Sequence, residues 1–190
     1  MGHREQLLEG AKKCLLERGY ARTTARDIVA ASGTNLASIG YHFGSKDALL
    51  TQAMVEAIGE WGDEVAHALT IAHQQDPASR FEAMIAGLIR SFESQPNLWK
   101  ASFEISMHAE RDSALKEQLA QATDLGREGL AQIFLDTEDI DVTTKRTVGA
   151  ILSAIIPGVY NQWLVDPAGA PSAKDFAAGL RHIAAVIKAG

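Results

Sequence analysis

Gly33 is the position that most constrains this chain. It separates two short patterned runs that together span Thr24 to Phe43. In the first run Thr24 can cap a helix, and Asp27, three residues on, can reach back to it as a short capping box. Ile28 and Ala31 then face inward at helical spacing. Ser32-Gly33-Thr34 breaks the pattern, and Gly33 suits a left-handed backbone position that closes the first helix. Thr34 or Asn35 can cap a second helix with Leu36 and Ile39 inward. The other face shows Asn35, Ala37, Ser38, Gly40, Tyr41 and His42, which are small or polar. Such a face can approach base edges and phosphates in a major groove, with the helix N-terminus aimed at the backbone.

The flanks sharpen a helix–turn–helix reading that is only moderately specific by itself. Gly19-Tyr20-Ala21-Arg22-Thr23-Thr24-Ala25-Arg26-Asp27-Ile28 precedes the turn, and Tyr41-His42-Phe43-Gly44-Ser45-Lys46-Asp47-Ala48-Leu49-Leu50 follows it. Together these resemble the tetracycline-repressor (TetR) family of bacterial transcriptional regulators, over about the first quarter of the chain. The resemblance implies an all-α protein. Residues 1–48 would be a three-helix DNA-binding head, and residues 49–190 a helical regulatory and dimerisation body. Carried over position by position, Asn35, Ala37 and Ser38 are the candidates for base edges. Asparagine can pair bidentately with adenine, serine with either kind of base, and alanine can touch a thymine methyl. Thr34 contacts a phosphate or caps. Tyr41, His42 and Lys46 match phosphate-binding positions, and Thr24 and Arg26 can reach the backbone from the first helix.

Charge first argues against nucleic acid, because the net charge is −6. Its distribution reverses that. Residues 1–50 hold seven Lys or Arg against five Asp or Glu, and the remainder eleven against nineteen. A mildly basic head on an acidic body orients the molecule on a polyanion; equally, the acidic body is a soluble surface. No apolar run approaches the roughly 18 residues of a membrane span. Met1-Gly2-His3-Arg4-Glu5-Gln6 leads straight into an amphipathic helix, so no secretory signal is expected. One cysteine excludes an internal disulfide and fits a reducing cytoplasm. That residue, Cys14, lies in the stripe Leu7, Ala11, Cys14, Leu15 of a first helix ending at Gly19, and reads as a packed core thiol rather than a redox sensor.

Further along, Ser45 can cap a long helix carrying Leu50, Met54, Ile58, Trp61, Val65 and Leu69. This helix would tie head to body. Thr70 to Gln75 reads as a loop, and Asp76-Pro77 as an N-cap followed by a first-turn proline. Phe81, Ile85, Leu88 and Phe92 form the next stripe, and Gln95-Pro96-Asn97 ends it. A helix with Trp99, Phe103 and Met107 on one side follows. Asp112 or Ser113 starts another, and the acidic segment 136–141 is a loop. Val148, Ile151, Leu152, Ile155, Val159 and Trp163 make a broad apolar face that Pro157 should kink. Phe176, Leu180, Ile183 and Ile187 form the last stripe.

Two apolar-faced terminal helices either close the chain's own core or build a symmetric interface between two copies. The TetR resemblance favours a homodimer, with Val148, Leu152, Ile155, Val159, Phe176, Leu180, Ile183 and Ile187 as the interface. Two recognition helices related by a two-fold axis, about 34–36 Å apart, can read the two halves of a palindromic operator. The resemblance also implies an unknown small-molecule effector bound in the body. Candidates are aromatic or polar residues on apolar faces: Trp61, Phe92, Trp99, Phe103, Met107, His108, Tyr160 and Trp163. There is no nucleophile elbow, phosphate loop or paired metal motif, so no catalytic residue, metal or cofactor is expected. Glu104 and His108 at i, i+4 alone do not define a metal site. The rival to a DNA-binding regulator, repressor or activator, is a helical ligand-binding interaction module that touches no nucleic acid.

Overall fold

The stripe Leu7, Ala11, Cys14, Leu15 buries one face of an opening helix, and Gly19 stops it with φ 78°. The computed structural model describes residues 2–71, 76–135 and 139–189. In it this helix is α1, His3–Arg18. There follow α2 (Ala25–Ser32), α3 (Leu36–Phe43), α4 (Lys46–Ile71), α5 (Pro77–Ser94), α6 (Pro96–His108), a 3-10 turn (Ala109–Arg111), α7 (Ser113–Leu135), α8 (Val142–Val165) and α9 (Ala173–Ala189). Among the described residues there is no strand, as the all-α expectation requires. The segments 72–75 and 136–138, both read as loop, lie outside the described residues, as do the side chains of Val65 and Leu69. Thr70 and Ile71 were also expected in the loop, but they complete α4.

The helix starts follow from local chemistry. Asp76 accepts the Ser79 N–H (2.9 Å) ahead of Pro77, Asp112 accepts from Ala114 and Leu115, and Asp141 accepts from Thr144 (3.0 Å). Ser172 and Asp175 bond reciprocally before α9. Each satisfies N–H groups that a helix start leaves without partners.

The chain forms two compact units, Met1–Trp61 with Gln95–Thr123 and Gly62–Ser94 with Asp124–Gly190. In the first, α1, α2, α3 and the start of α4 share a core built on Leu7, Leu15, Ile28, Leu49 and Leu50. Leu98, Ala101 and Ile105 of α6 complete it. Cys14 is buried there, and burial pushes its thiol pKa up, which keeps it an inert core group. Gly10 permits the α1–α2 contact: a Cβ on it would meet the Ser32 Cβ at 2.8 Å. Across the unit Lys12 of α1 meets Glu9 and Glu60 at 2.7 Å and Glu56 at 3.6 Å. Burial alone would lower the ammonium pKa, but hydrogen bonds to Glu60 and Glu9 outweigh it and raise it.

In the second unit α5 packs against α8 and α9. Buried Arg80 donates to the carbonyls of Ile133 and Phe134, filling acceptors at the end of α7. Phe92 packs its ring on Tyr160 (5.0 Å) and Trp163 (5.5 Å). At Gly149 any Cβ would collide with the Arg127 carbonyl oxygen, so α8 and α7 meet there at backbone distance. Pro157 is carried inside α8, which continues to Val165. By length and composition alone α8 is long and apolar enough to cross a bilayer, with a mean hydropathy of 1.4 over 18 residues, a property that core helices share. Alanine between the branched residues supports that mean, while Ser153 and Pro157 keep the apolar run from being unbroken.

The expected interface residues divide. Leu152 and Val159 are buried in their own unit, and Val148, Ile155, Phe176 and Leu180 are half-buried. Ile183 and Ile187 are exposed. Ile151, Ala154, Gly158 and Val165 form an outward stripe on α8 that the sequence reading did not separate from the inward one. Val186 joins Ile183 and Ile187 on α9.

The expected effector residues are divided between the two units. Trp61 and Trp99 pack edge to face at 5.5 Å in the first unit, and Phe92, Tyr160 and Trp163 form the aromatic cluster of the second. Phe103 is exposed, and Met107 is 73% exposed. Glu104 accepts the Ala21 N–H (3.2 Å), and His108 Nε2 lies 3.8 Å from Asp47 Oδ2. A shallow cavity of about 280 Å³ in the second unit is lined by Asn161, Gln162, Val165, Asp166, Gly169, Ala170 and Pro171, none of them a predicted residue.

Candidate nucleic-acid interface

The helix–turn–helix is fixed by reciprocal caps. Thr24 Oγ1 accepts the Asp27 N–H (3.2 Å), while the Thr24 N–H and hydroxyl donate to Asp27 Oδ2 (2.9 and 2.6 Å). Arg18 donates to the other carboxylate oxygen at 2.6 Å. The Thr24 hydroxyl and N–H, with Arg18 beside them, hold the Asp27 carboxyl below the ordinary carboxylate range. Gly33 closes α2 in the left-handed region, φ 69° and ψ 21°, as the sequence predicts.

Asn35, rather than Thr34, caps α3. Its Oδ1 accepts the Ser38 N–H (3.0 Å) and the Ser38 hydroxyl (3.2 Å). Thr34 is half-buried, with its hydroxyl 2.7 Å from that of Ser32. Ile39 is buried as expected, but Leu36 is not its inward companion and is 52% exposed. The reverse holds for Ser38, read as exposed and found only 8% exposed. Ala31, read as inward on α2, is also exposed. The cause is common to all three. Spacing places residues on a shared helical face, but on an eight-residue helix the neighbouring helices decide how much of that face is covered.

The outward surface of α3 therefore consists of Asn35, Leu36, Ala37, Gly40 and Tyr41. Tyr41 is 85% exposed and meets His42 edge-on at 4.8 Å. His42 is half-buried, and Phe43 packs partly on the head core with the Arg4 guanidinium 5.4 Å over its ring. Thr24 and Arg26 are exposed at the start of α2. Lys46 is not a free surface ammonium. It donates to the Thr23 carbonyl (3.4 Å), pairs with Asp47 (3.2 Å) and stands 5.2 Å over the Tyr20 ring. Tyr20 donates its hydroxyl to Asp47 at 2.9 Å. Burial opposes ionisation of Asp47, yet the bonds from Tyr20 and Lys46 outweigh it and keep its carboxyl below the ordinary range. Burial, then the Asp47 bond, push the Tyr20 pKa up. The sequence reading missed Tyr20 and Asp47 as the holders of Lys46; the Tyr20–Asp47 pairing spans 27 residues and leaves no periodic signal.

The head's caps, glycine turn and exposed second helix coincide with residues 7–53, which match the family model described as "Bacterial regulatory proteins, tetR family". Residues 7–53 carry a TetR-family domain. Among proteins similar to this chain is the HTH-type transcriptional regulator TtgR of Pseudomonas putida. It is 36% identical over 74 residues, 39% of this chain and 35% of TtgR. The chain thus matches about a third of that relative's length. The HTH-type transcriptional repressor AcnR of Corynebacterium diphtheriae is 29% identical over 134 residues, 65% of this chain and 67% of AcnR. Among solved structures, the multidrug binding protein EbrR complexed with proflavin superposes with a TM-score of 0.60 at 19% identity. That match covers 94% of this chain and 97% of EbrR, and shares the fold.

Proposed function

We propose that this protein is a TetR-family transcriptional regulator acting as a repressor. In this reading a homodimer binds a palindromic duplex with its two α3 helices in successive major grooves, and a small-molecule effector in the body releases it. The observation that carries the reading is the α3 surface: a capped helix whose outward residues do no work for the head's core, flanked by Thr24, Arg26, Tyr41, His42 and Lys46 at positions suited to phosphates. The homodimer is supported by the outward apolar stripes of α8 and α9, which one copy leaves uncovered. The naming of AcnR as a repressor supports repression, and proflavin on EbrR supports a small-molecule effector. Its place of work would be the bacterial cytoplasm, where the DNA is.

Release would be a population shift. α4 runs as one helix from Lys46 to Ile71, so an effector that prefers one arrangement of the body can bias the spacing of two heads. Its leverage is limited to its differential affinity for the two arrangements. To test the reading, full-length protein is incubated with fragments of bacterial genomic DNA, and retained fragments are titrated at several fixed salt concentrations. A retained palindromic fragment, bound less tightly as salt rises, is expected. Absence of salt-dependent binding to any duplex overturns the reading in favour of an interaction module.

A further inference from the structure

We propose that α3 reads its half-site chiefly by apolar contact with thymine methyl groups, with Leu36 as the specificity-determining residue. The proposal rests on the DNA-binding reading above and concerns how that surface discriminates. An adenine-specific asparagine must accept from N6 through Oδ1 while donating to N7 through its amide. In Asn35 that oxygen already accepts two hydrogen bonds, from the Ser38 N–H and the Ser38 hydroxyl. A carbonyl oxygen has two lone pairs, so Oδ1 has no remaining site for a base. Asn35 keeps only its amide donor. Ser38 is buried with its hydroxyl engaged in the cap, and the Thr34 hydroxyl is engaged with Ser32. The three polar side chains at the start of α3 thus serve the turn before they can serve a base.

What remains outward is a strip of Leu36 and Ala37 with Gly40 and Tyr41 one turn on, each pair related by i, i+4. A single exposed leucine is ordinary on a protein surface. Here it stands at the first position of the helix that would enter the groove, at the end where Asn35 Oδ1 and the Ser38 and Thr34 hydroxyls are committed to the turn. Ala37 is short and Gly40 has no side chain, so Leu36 projects furthest from that end. The major groove offers one apolar group, the thymine C5 methyl. Leucine at the N-terminal end of a recognition helix therefore selects T·A pairs by burying that methyl. The lone Asn35 amide donor adds a contact to any acceptor, purine N7 or phosphate, without choosing a base.

The experiment first selects a bound half-site from a randomised duplex pool with full-length protein. Each thymine of that half-site is then replaced singly by deoxyuridine, which removes only the methyl, and Kd is measured at one salt concentration. One or two positions should lose about fourfold in affinity per methyl, the worth of one buried carbon. With L36A those positions should become insensitive to uridine, while the slope of affinity against salt stays unchanged because phosphate contacts are untouched. Thermal melting of L36A should match the parent, since Leu36 lies outside the head core. If uridine is tolerated at every position, or if L36A keeps the same sensitivity, the inference falls while DNA binding stands. If no duplex is enriched, the DNA-binding reading falls, and this inference with it.

Discussion

Gly40 and Gly33 lie seven residues apart and answer to different constraints. Gly33 holds φ 69°, so a side chain there is strained whatever space surrounds it. Gly40 is helical, with nothing within 4 Å of an added Cβ. Gly33→Ala should therefore cost about 1–2 kcal/mol, the penalty of the left-handed region. Gly40→Ala should add about 1 kcal/mol through helix propensity. Chemical denaturation of the two variants should move in opposite directions. In duplex binding Gly40→Ala should be weaker than the parent in spite of its stability, because the new methyl sits in the strip presented by α3. A Gly40→Ala protein that is both more stable and equally avid would show that this strip does not approach DNA closely.

Lys46 links the start of α4 to the recognition region. Its ammonium is held by the Thr23 carbonyl, Asp47 and the Tyr20 ring, and Asp47 is itself held by Tyr20. On a duplex, a phosphate would compete with Asp47 for this ammonium. Lys46→Met should weaken binding to all sequences alike and reduce the steepness of the salt dependence by about 1, the signature of one lost phosphate contact. Sequence preference should not change. A loss confined to particular base pairs would mean that Lys46 contributes to readout and is misassigned. The α1–α4 clamp through Lys12 is a separate device. Its glutamates are largely exposed, so it fixes geometry more than it adds stability.

Across the whole molecule, capping carboxylates give the fold a shared acid sensitivity. Asp27, Asp76, Asp141 and Asp175 are held below the ordinary carboxylate range chiefly by hydrogen bonds from their capping partners, and Asp47 is held there too. A folded-state pKa below the unfolded value gives stability that is fully present above the unfolded value, about 4, and is lost as pH falls through the lower folded values. Melting temperature should therefore be little affected by these groups from pH 7 down to about 4 and drop below that; a fall already complete at about pH 5 would point to other groups. Assembly is tested at the same scale. Ile183→Glu combined with Ile187→Glu places charge on the outward stripe of α9, where neither residue supports its own core. Light scattering should report a monomer, and palindrome binding should weaken. A double variant that remains dimeric would move the interface elsewhere.

What the amino-acid sequence determined by itself were contacts that close within about four residues, Thr24 with Asp27, Gly33, and Asp76 ahead of Pro77, together with the TetR-like run from Gly19 to Leu50. These interactions close locally, so the pattern that encodes them is contiguous. Tertiary structure alone decided that α6 returns Leu98, Ala101 and Ile105 to the head core, that Leu152 turns inward while Ile151 turns outward, and that Leu36 is exposed while Ser38 is covered. Periodicity establishes that a helix has an apolar face, but which face meets a neighbour depends on helices far away in the chain, and that information has no local spacing to carry it.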